Sequence, residues 1–226
     1  MDVQRPQTSR SRADWTIVLP LKGGPAAKSR LAVLADDVSL LATAIALDTL
    51  DAVRTAGSVG RVLAVTADAD LAKACLDLGA DVVEQSQPDP GLPGGGLSGA
   101  IADGVSAAGG PCAVLLGDLP ALLPADLDLA LAAAASELRG PGASPMVFVP
   151  DAEGTGTVLL AAGSPGALSP RFGPGSAQAH RDAGATDLPL ALPRLRRDVD
   201  TPADLEAVLA LGAGPRTRRA VQAMAT

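Results

Sequence analysis

Residues 17–31 read IVLPLKGGPAAKSRL. Ile17, Val18 and Leu19 form an apolar run that ends at Pro20, as a buried strand would. A loop with two glycines and two lysines follows, and Ser29-Arg30-Leu31 opens a helix. A strand feeding a glycine-containing, cationic loop is a common way to hold phosphate, because backbone N–H groups and ammonium groups converge on one anion. Such a loop lacks acidic residues for a metal and a second anion pocket, and the remainder of the chain has to supply both.

Outward from this stretch, strand and helix patterns alternate. Strands are expected over 15–20, 61–66, 81–84, 113–116, 145–150, 157–162 and 195–199. Helices are expected over 29–35, 38–54, 69–78, 97–108, 124–139 and 175–183. Val38, Leu41, Ile45, Leu50 and Val53 make one apolar face of the second helix, and Gly57 and Gly79 close the second and third. Thr201 and Pro202 have the cap and first-turn chemistry of one more helix. Alternation of this kind predicts a mostly parallel α/β sheet flanked by helices, with ligands at the carboxyl ends of the strands. The Lys22 loop, Asp118 and the stretch after Thr157 all follow strands and can then share one rim.

Composition sets limits. A chain of 226 residues fits one large domain, taken here as 14–213, with a loose polar tail over 1–13 and a frayed basic tail over 214–226. Hydrophobic residues make up 47% of the chain but aromatics only 1%, so the core must be built from Ala, Val and Leu. The formal net charge of −7 argues against a nucleic-acid surface while leaving room for a local basic pocket. Cys75 and Cys112 have no metal-ligand spacing and read as buried thiols of a cytoplasmic protein. No apolar run approaches the ~20 residues of a membrane span, so no membrane partner is expected.

Two familiar phosphate motifs are absent. Ala27 precedes Lys28-Ser29 and Lys22 stands where a Walker A loop has its first glycine. Gly154-Thr155-Gly156 lacks the third glycine of a dinucleotide fingerprint, since Leu159 takes that place. Asp118 follows an apolar run and Gly117; it suits either a cap for the turn at Leu119-Pro120 or a metal ligand, and its place on the rim favours the metal. Asp198 and Asp200 bracket Val199 and would share one face of a strand, while Asp204 belongs to the first turn of the next helix. Lys22, Lys28 and Arg30 are three cations on one short loop of an acidic protein. Gly154–Thr157 (GTGT) and 171–176 (RFGPGS) offer backbone N–H groups, hydroxyls and a cation for a second anion. His180, the single histidine, reads as a surface or packing residue rather than a catalytic base. The Pro/Gly-rich segment 85–96 reads either as a surface connection or as a lid near a nucleotide.

Five motifs in order, KGGPAAKSRL, LLGDLPAL, GTGTVLL, RFGPGSAQAHRDAGA and RRDVDTPADL, resemble the guanylyltransferases of coenzyme F-420 biosynthesis. These are the 2-phospho-L-lactate guanylyltransferases and their phosphoenolpyruvate-using relatives, and the resemblance runs over 17–211. It implies a single Rossmann-like nucleotidyltransferase domain, GTP as co-substrate and Mg²⁺ as metal. It implies metal ligation by Asp118 and Asp198, and binding of a three-carbon phospho-acid by Thr157, Gly173 and Ser176. Lys22, Lys28 and Arg30 are then the cations that neutralise phosphate charge. One departure is Ser98, where the family usually has Asn. Phosphoenolpyruvate is the expected acceptor; 2-phospholactate, 3-phosphoglycerate and a non-catalytic nucleotide-binding role are the alternatives.

Overall fold

The computed structural model describes residues 14–22, 31, 38–86, 95–140 and 142–224. The chain runs β1 (Trp15–Pro20), α1 (Ser39–Thr55), β2 (Val59–Thr66), α2 (Ala69–Asp77), β3 (Asp81–Glu84), α3 (Gly95–Ala107) and β4 (Cys112–Leu115). It continues through α4 (Pro124–Glu137), β5 (Met146–Pro150), β6 (Thr157–Ala162), α5 (Ser176–Asp182), β7 (Ala185–Asp187), α6 (Pro193–Arg196), α7 (Pro202–Leu211) and α8 (Pro215–Met224). The strands form one seven-stranded sheet in the order β3-β2-β1-β4-β6-β5-β7. Pairs β1–β2, β2–β3, β1–β4 and β5–β7 are parallel, whereas β6 is antiparallel to both β4 and β5. One strand therefore opposes the other six.

Strand side chains alternate between the two faces. Ile17, Leu19, Val62, Ala64, Ala113 and Leu115 pack beneath α1, α2 and α4. Val18, Leu63, Val65, Cys112 and Val114 face the other way, onto Ala100 and Ile101 of α3. Met146, Phe148 and Leu160 continue that second face under Ala177 of α5. β1, β4, β5 and β6 are buried along their whole length, which is why their sequences are continuous apolar runs. Burying each large aliphatic side chain contributes about 1.5–3 kcal/mol. The two cysteines are buried and unbridged, and burial pushes both thiols up to about 11. Among the described residues no helix is long and apolar enough to cross a membrane.

Two expectations need correction. Residues 195–199 are not a strand: Pro193 starts a helical turn, and an extended segment follows it. The seventh strand is instead Ala185–Asp187, three residues long and too short to carry a period. Within the expected frayed tail over 214–226, residues 215–224 instead form the helix α8, whose Ala220, Val221 and Met224 pack with Leu41 and Ile45 of α1. Its first turn is capped from 168 residues away: the buried Asp48 carboxylate accepts the N–H groups of Arg216 (3.2 Å) and Thr217 (2.7 Å). The expected helix over 29–35 apart from Leu31, most of the segment 85–96 and the tail over 1–13 lie outside the described residues.

Candidate active site

Strand direction decides what meets at the rim. The carboxyl ends of β1, β4 and β5 lie beside the amino end of β6, because β6 alone runs backwards. Lys22 follows β1, Asp118 follows β4, Asp151 follows β5, and Thr157 opens β6. All four line one cavity of about 660 Å³, together with Asp198, Asp200, Gly173 and Ser176. β1 and β4 are also where the chain order of the sheet reverses, the usual ligand crevice of such folds. Thr157 reaches this rim by heading an antiparallel strand, not by following a parallel one. Lys28 and Arg30 lie outside the described residues.

The tips of β1 and β4 approach closely. A β-carbon at Gly117 would overlap the Leu21 side chain and stand 2.9 Å from the Pro20 carbonyl oxygen. Only glycine lets the backbones come this near, and the approach sets Asp118 beside the Lys22 segment.

Three residues, Val199, Arg196 and Arg197, hold the acidic segment that carries Asp198. The Val199 N–H donates to the Asp118 carbonyl (3.1 Å), and Val199 itself is fully buried. The Arg196 guanidinium donates to the carbonyls of Pro150 (3.0 Å) and Asp151 (2.6 Å), tying the segment to the β5–β6 turn. Arg197 pairs with Glu153 (2.5 Å) and Asp204 (3.3 Å). Asp204 forms a capping box with Thr201 at the start of α7. Burial works against ionising Asp204, but the Thr201 hydroxyl and N–H, the Asp200 N–H and Arg197 outweigh it and hold the carboxyl below its usual range. Asp204 thus serves the helix, while Asp198 and Asp200 face the cavity.

The cavity carboxylates are hard oxygen donors. Among the described residues no group of three or more His, Cys, Asp or Glu side chains is arranged to hold a metal unaided. Two carboxylates completed by substrate phosphates and water is the donor set that Mg²⁺ accepts, and Asp118 and Asp198 fit it.

The opposite wall is a small polar pocket. Thr157 and Ser176 are each 2% exposed, and Gly173 (φ 131°) and Gly175 (φ 71°) turn the backbone through conformations that other residues resist. The expected nest of GTGT backbone donors is corrected here. The N–H groups of Thr155 (2.9 Å) and Gly156 (2.7 Å) donate to the Asp151 carboxylate, and that of Gly154 (3.2 Å) to the Asp151 carbonyl. Asp151 closes its own loop, so the pocket presents side-chain hydroxyls instead. Asp151 escaped the sequence reading; an Asp three residues ahead of Gly154 is a turn signal that pointed to it. His180 is 0% exposed, lies between Phe148 and Phe172, and is bonded at both ring nitrogens. Burial, and secondarily the Arg171 charge, lower its pKa to about 4, against a smaller opposing pull from the Ser176 carbonyl.

Residues 31–193 match the family described as the MobA-like NTP transferase domain. A phosphoenolpyruvate guanylyltransferase of Geodermatophilus obscurus is 45% identical over 211 residues, spanning 90% of this chain and 92% of its own. One from Salinispora arenicola is 46% identical over 206 residues, 90% of this chain and 91% of its own. A nucleotidyl transferase of solved structure from Methanothermobacter thermautotroptrophicus shares the fold with a TM-score of 0.61 at 21% identity, over 88% of this chain and 97% of that one. A chain with this strand order, an acid-bearing rim at the β1/β4 crevice and these relatives is a nucleotidyltransferase, and it belongs to the MobA-like NTP transferases and, within them, to the phosphoenolpyruvate guanylyltransferase family.

Proposed function

We propose that the protein transfers GMP from GTP to phosphoenolpyruvate with release of pyrophosphate, a step of coenzyme F-420 biosynthesis. What carries this reading is the placing of Asp118, Asp198 and Lys22 in the same cavity as the Thr157/Ser176 pocket, in a chain of this family. A phosphate oxygen of phosphoenolpyruvate attacks the α-phosphorus of GTP. The bond from that phosphorus to the oxygen bridging to the β-phosphate breaks, and pyrophosphate leaves with the electron pair.

The attacking phosphate is already an anion near neutral pH, so the chemistry needs no general base, in keeping with the absence of a catalytic His or Cys at the rim. The obstacle is repulsion between anions. Lys22 places a cation beside the triphosphate path, and Thr157 and Ser176 orient the acid for in-line approach. Asp118 and Asp198 would hold Mg²⁺, which when bound neutralises phosphate charge as it builds up on the leaving group. Lys28 and Arg30, six and eight residues after Lys22 in the sequence, are the further cations this reading assigns to the phosphates. The buried free thiols suit a reducing, cytoplasmic setting.

The test is pyrophosphate release by the purified chain with GTP and Mg²⁺, with phosphoenolpyruvate, 2-phospholactate or 3-phosphoglycerate as acceptor and ATP as the control nucleotide. Release that requires GTP and is fastest with phosphoenolpyruvate is expected. Faster release with another acid reassigns the acceptor, and release with none of them refutes transferase activity on this class.

A further inference from the structure

The imidazole of His180 is fully buried and bonded to Thr157, which lines the cavity, without lining it itself. Its Nδ1 is 2.9 Å from the Thr157 hydroxyl oxygen and its Nε2 is 2.8 Å from the Arg171 backbone nitrogen. A backbone N–H can only donate, so Nε2 must be the accepting, unprotonated nitrogen. A neutral ring then carries its proton on Nδ1, so towards the Thr157 hydroxyl at 2.9 Å the ring nitrogen is the donor, with the Ser176 carbonyl as a second acceptor near the ring. The low pKa keeps the ring neutral at physiological pH. Among the described residues, His180 is the hydrogen-bond partner of the Thr157 side chain. The ring has taken a lone pair of that hydroxyl, so the hydroxyl proton must point elsewhere, and the cavity is the space that Thr157 lines.

We infer that His180 is a positioning residue for the acceptor acid: by donating from Nδ1 it makes Thr157 an obligatory hydrogen-bond donor towards an anionic oxygen in the cavity. Its second bond, from the Arg171 N–H, fixes the strap 171–175 that brings Phe172 and Gly173 to the same pocket. One buried ring thus sets both the polarity of the hydroxyl and the position of the strap. The role of the anionic oxygen rests on the proposed reaction; the tautomer does not.

Two substitutions separate the two bonds. His180→Asn places an amide N–H near the Nδ1 position and keeps the donor to Thr157. His180→Gln places a carbonyl oxygen near the Nε2 position and keeps the acceptor for Arg171. A hydrogen bond to a charged partner corresponds to ~10–100-fold in affinity. His180→Gln is therefore expected to raise KM for phosphoenolpyruvate by at least ~10-fold, leaving KM for GTP within ~2-fold, while His180→Asn, which loses only the Arg171 bond to the strap, raises it less. In a Thr157→Val background, His180→Gln should add nothing further to that KM, because the two residues act through one bond. Equal effects on both substrates, or a larger loss in Asn than in Gln, would overturn the assignment to Thr157. Ring-nitrogen NMR of the wild-type chain tests the tautomer without any turnover: a proton on Nδ1 at pH 7 is expected, and a proton on Nε2 refutes the inference. If the wild type turns over no acid, the proposed reaction fails, and the NMR result alone decides the part played by His180.

Discussion

Replacing Gly117 by Ala tests whether the close approach of two strand tips matters to the site. The added methyl overlaps the Leu21 side chain and stands 2.9 Å from the Pro20 carbonyl oxygen. Leu21 can move by changing rotamer, but Pro20 is β1 backbone at the centre of the sheet. Ordinary contact lies near ~3.5 Å, so the tip of β4 must shift by roughly 0.5 Å away from β1. Overpacking of this kind costs about 1–3 kcal/mol. At this chain length each kcal/mol corresponds to about 2–4 °C, giving a fall in Tm of about 2–12 °C. The shift also moves Asp118 relative to Lys22. Since a displacement of ~1 Å can cost ~10²-fold, a loss of roughly 10-fold in kcat is expected, with KM little changed. Gly109→Ala is the control, because a β-carbon there meets nothing within 4 Å and the position is exposed at the other end of the sheet. Thermal melts and pyrophosphate release on the two variants provide both readouts. A Gly117→Ala protein with wild-type Tm and wild-type kcat would show that β1 and β4 need not approach this closely for the site to work.

Other expected outcomes concern the pocket, the C-terminal helix and acid stability. Ser176→Ala removes a buried hydroxyl of the acid pocket, so KM for the phospho-acid should rise ~10-fold with KM for GTP unchanged; a defect confined to GTP would contradict the pocket. Asp48→Ala strips the cap from α8 and should cost about 2 kcal/mol in urea unfolding, and an unchanged midpoint would show that the helix is held by packing alone. The pKa of His180 lies near 4 in the folded chain, below its ordinary 6.5. The unfolded chain therefore binds the proton first, and this stabilisation is complete above pH 6.5 and is lost as pH falls towards 4. From pH 7 to pH 5 the wild type should lose roughly 2 kcal/mol more than His180→Asn; parallel losses in the two proteins would place the acid sensitivity in other groups.

Much of the fold was readable because buried strands leave continuous apolar runs. Trp15–Pro20 and Thr157–Ala162 are such runs and begin and end where their sequences change character; Asp81–Glu84 is a partly exposed edge strand in which only Val82 and Val83 are apolar. What escaped depended on distant partners. The reversed direction of β6 is set by its pairing with β4 and β5, and no local pattern records direction. α8 looked like a loose basic tail because its cap, Asp48, sits in α1. Pro215 at its start, with Ala220, Val221 and Met224 on one side, was the signal available. Residues 195–199 imitated a strand because Leu195 and Val199 are buried, one in a helical turn and the other in an extended segment. At the site, the residues named from motifs and lying within the described region, Lys22, Asp118, Asp198, Thr157, Gly173 and Ser176, line one cavity. The parts played by Asp151 and His180 lie in hydrogen bonds across the fold, which spacing along the chain does not encode.

The account depends most on Asp118 and Asp198 acting together on one divalent cation. Turnover of Asp118→Asn, Asp198→Asn and the double variant, each titrated with Mg²⁺, measures this directly. Each single variant should lose at least ~10²-fold in kcat and need more Mg²⁺, and the double variant should be little worse than either, as expected of groups that work as a unit. Losses that multiply in the double variant, or single variants with near-normal turnover and Mg²⁺ demand, would contradict it.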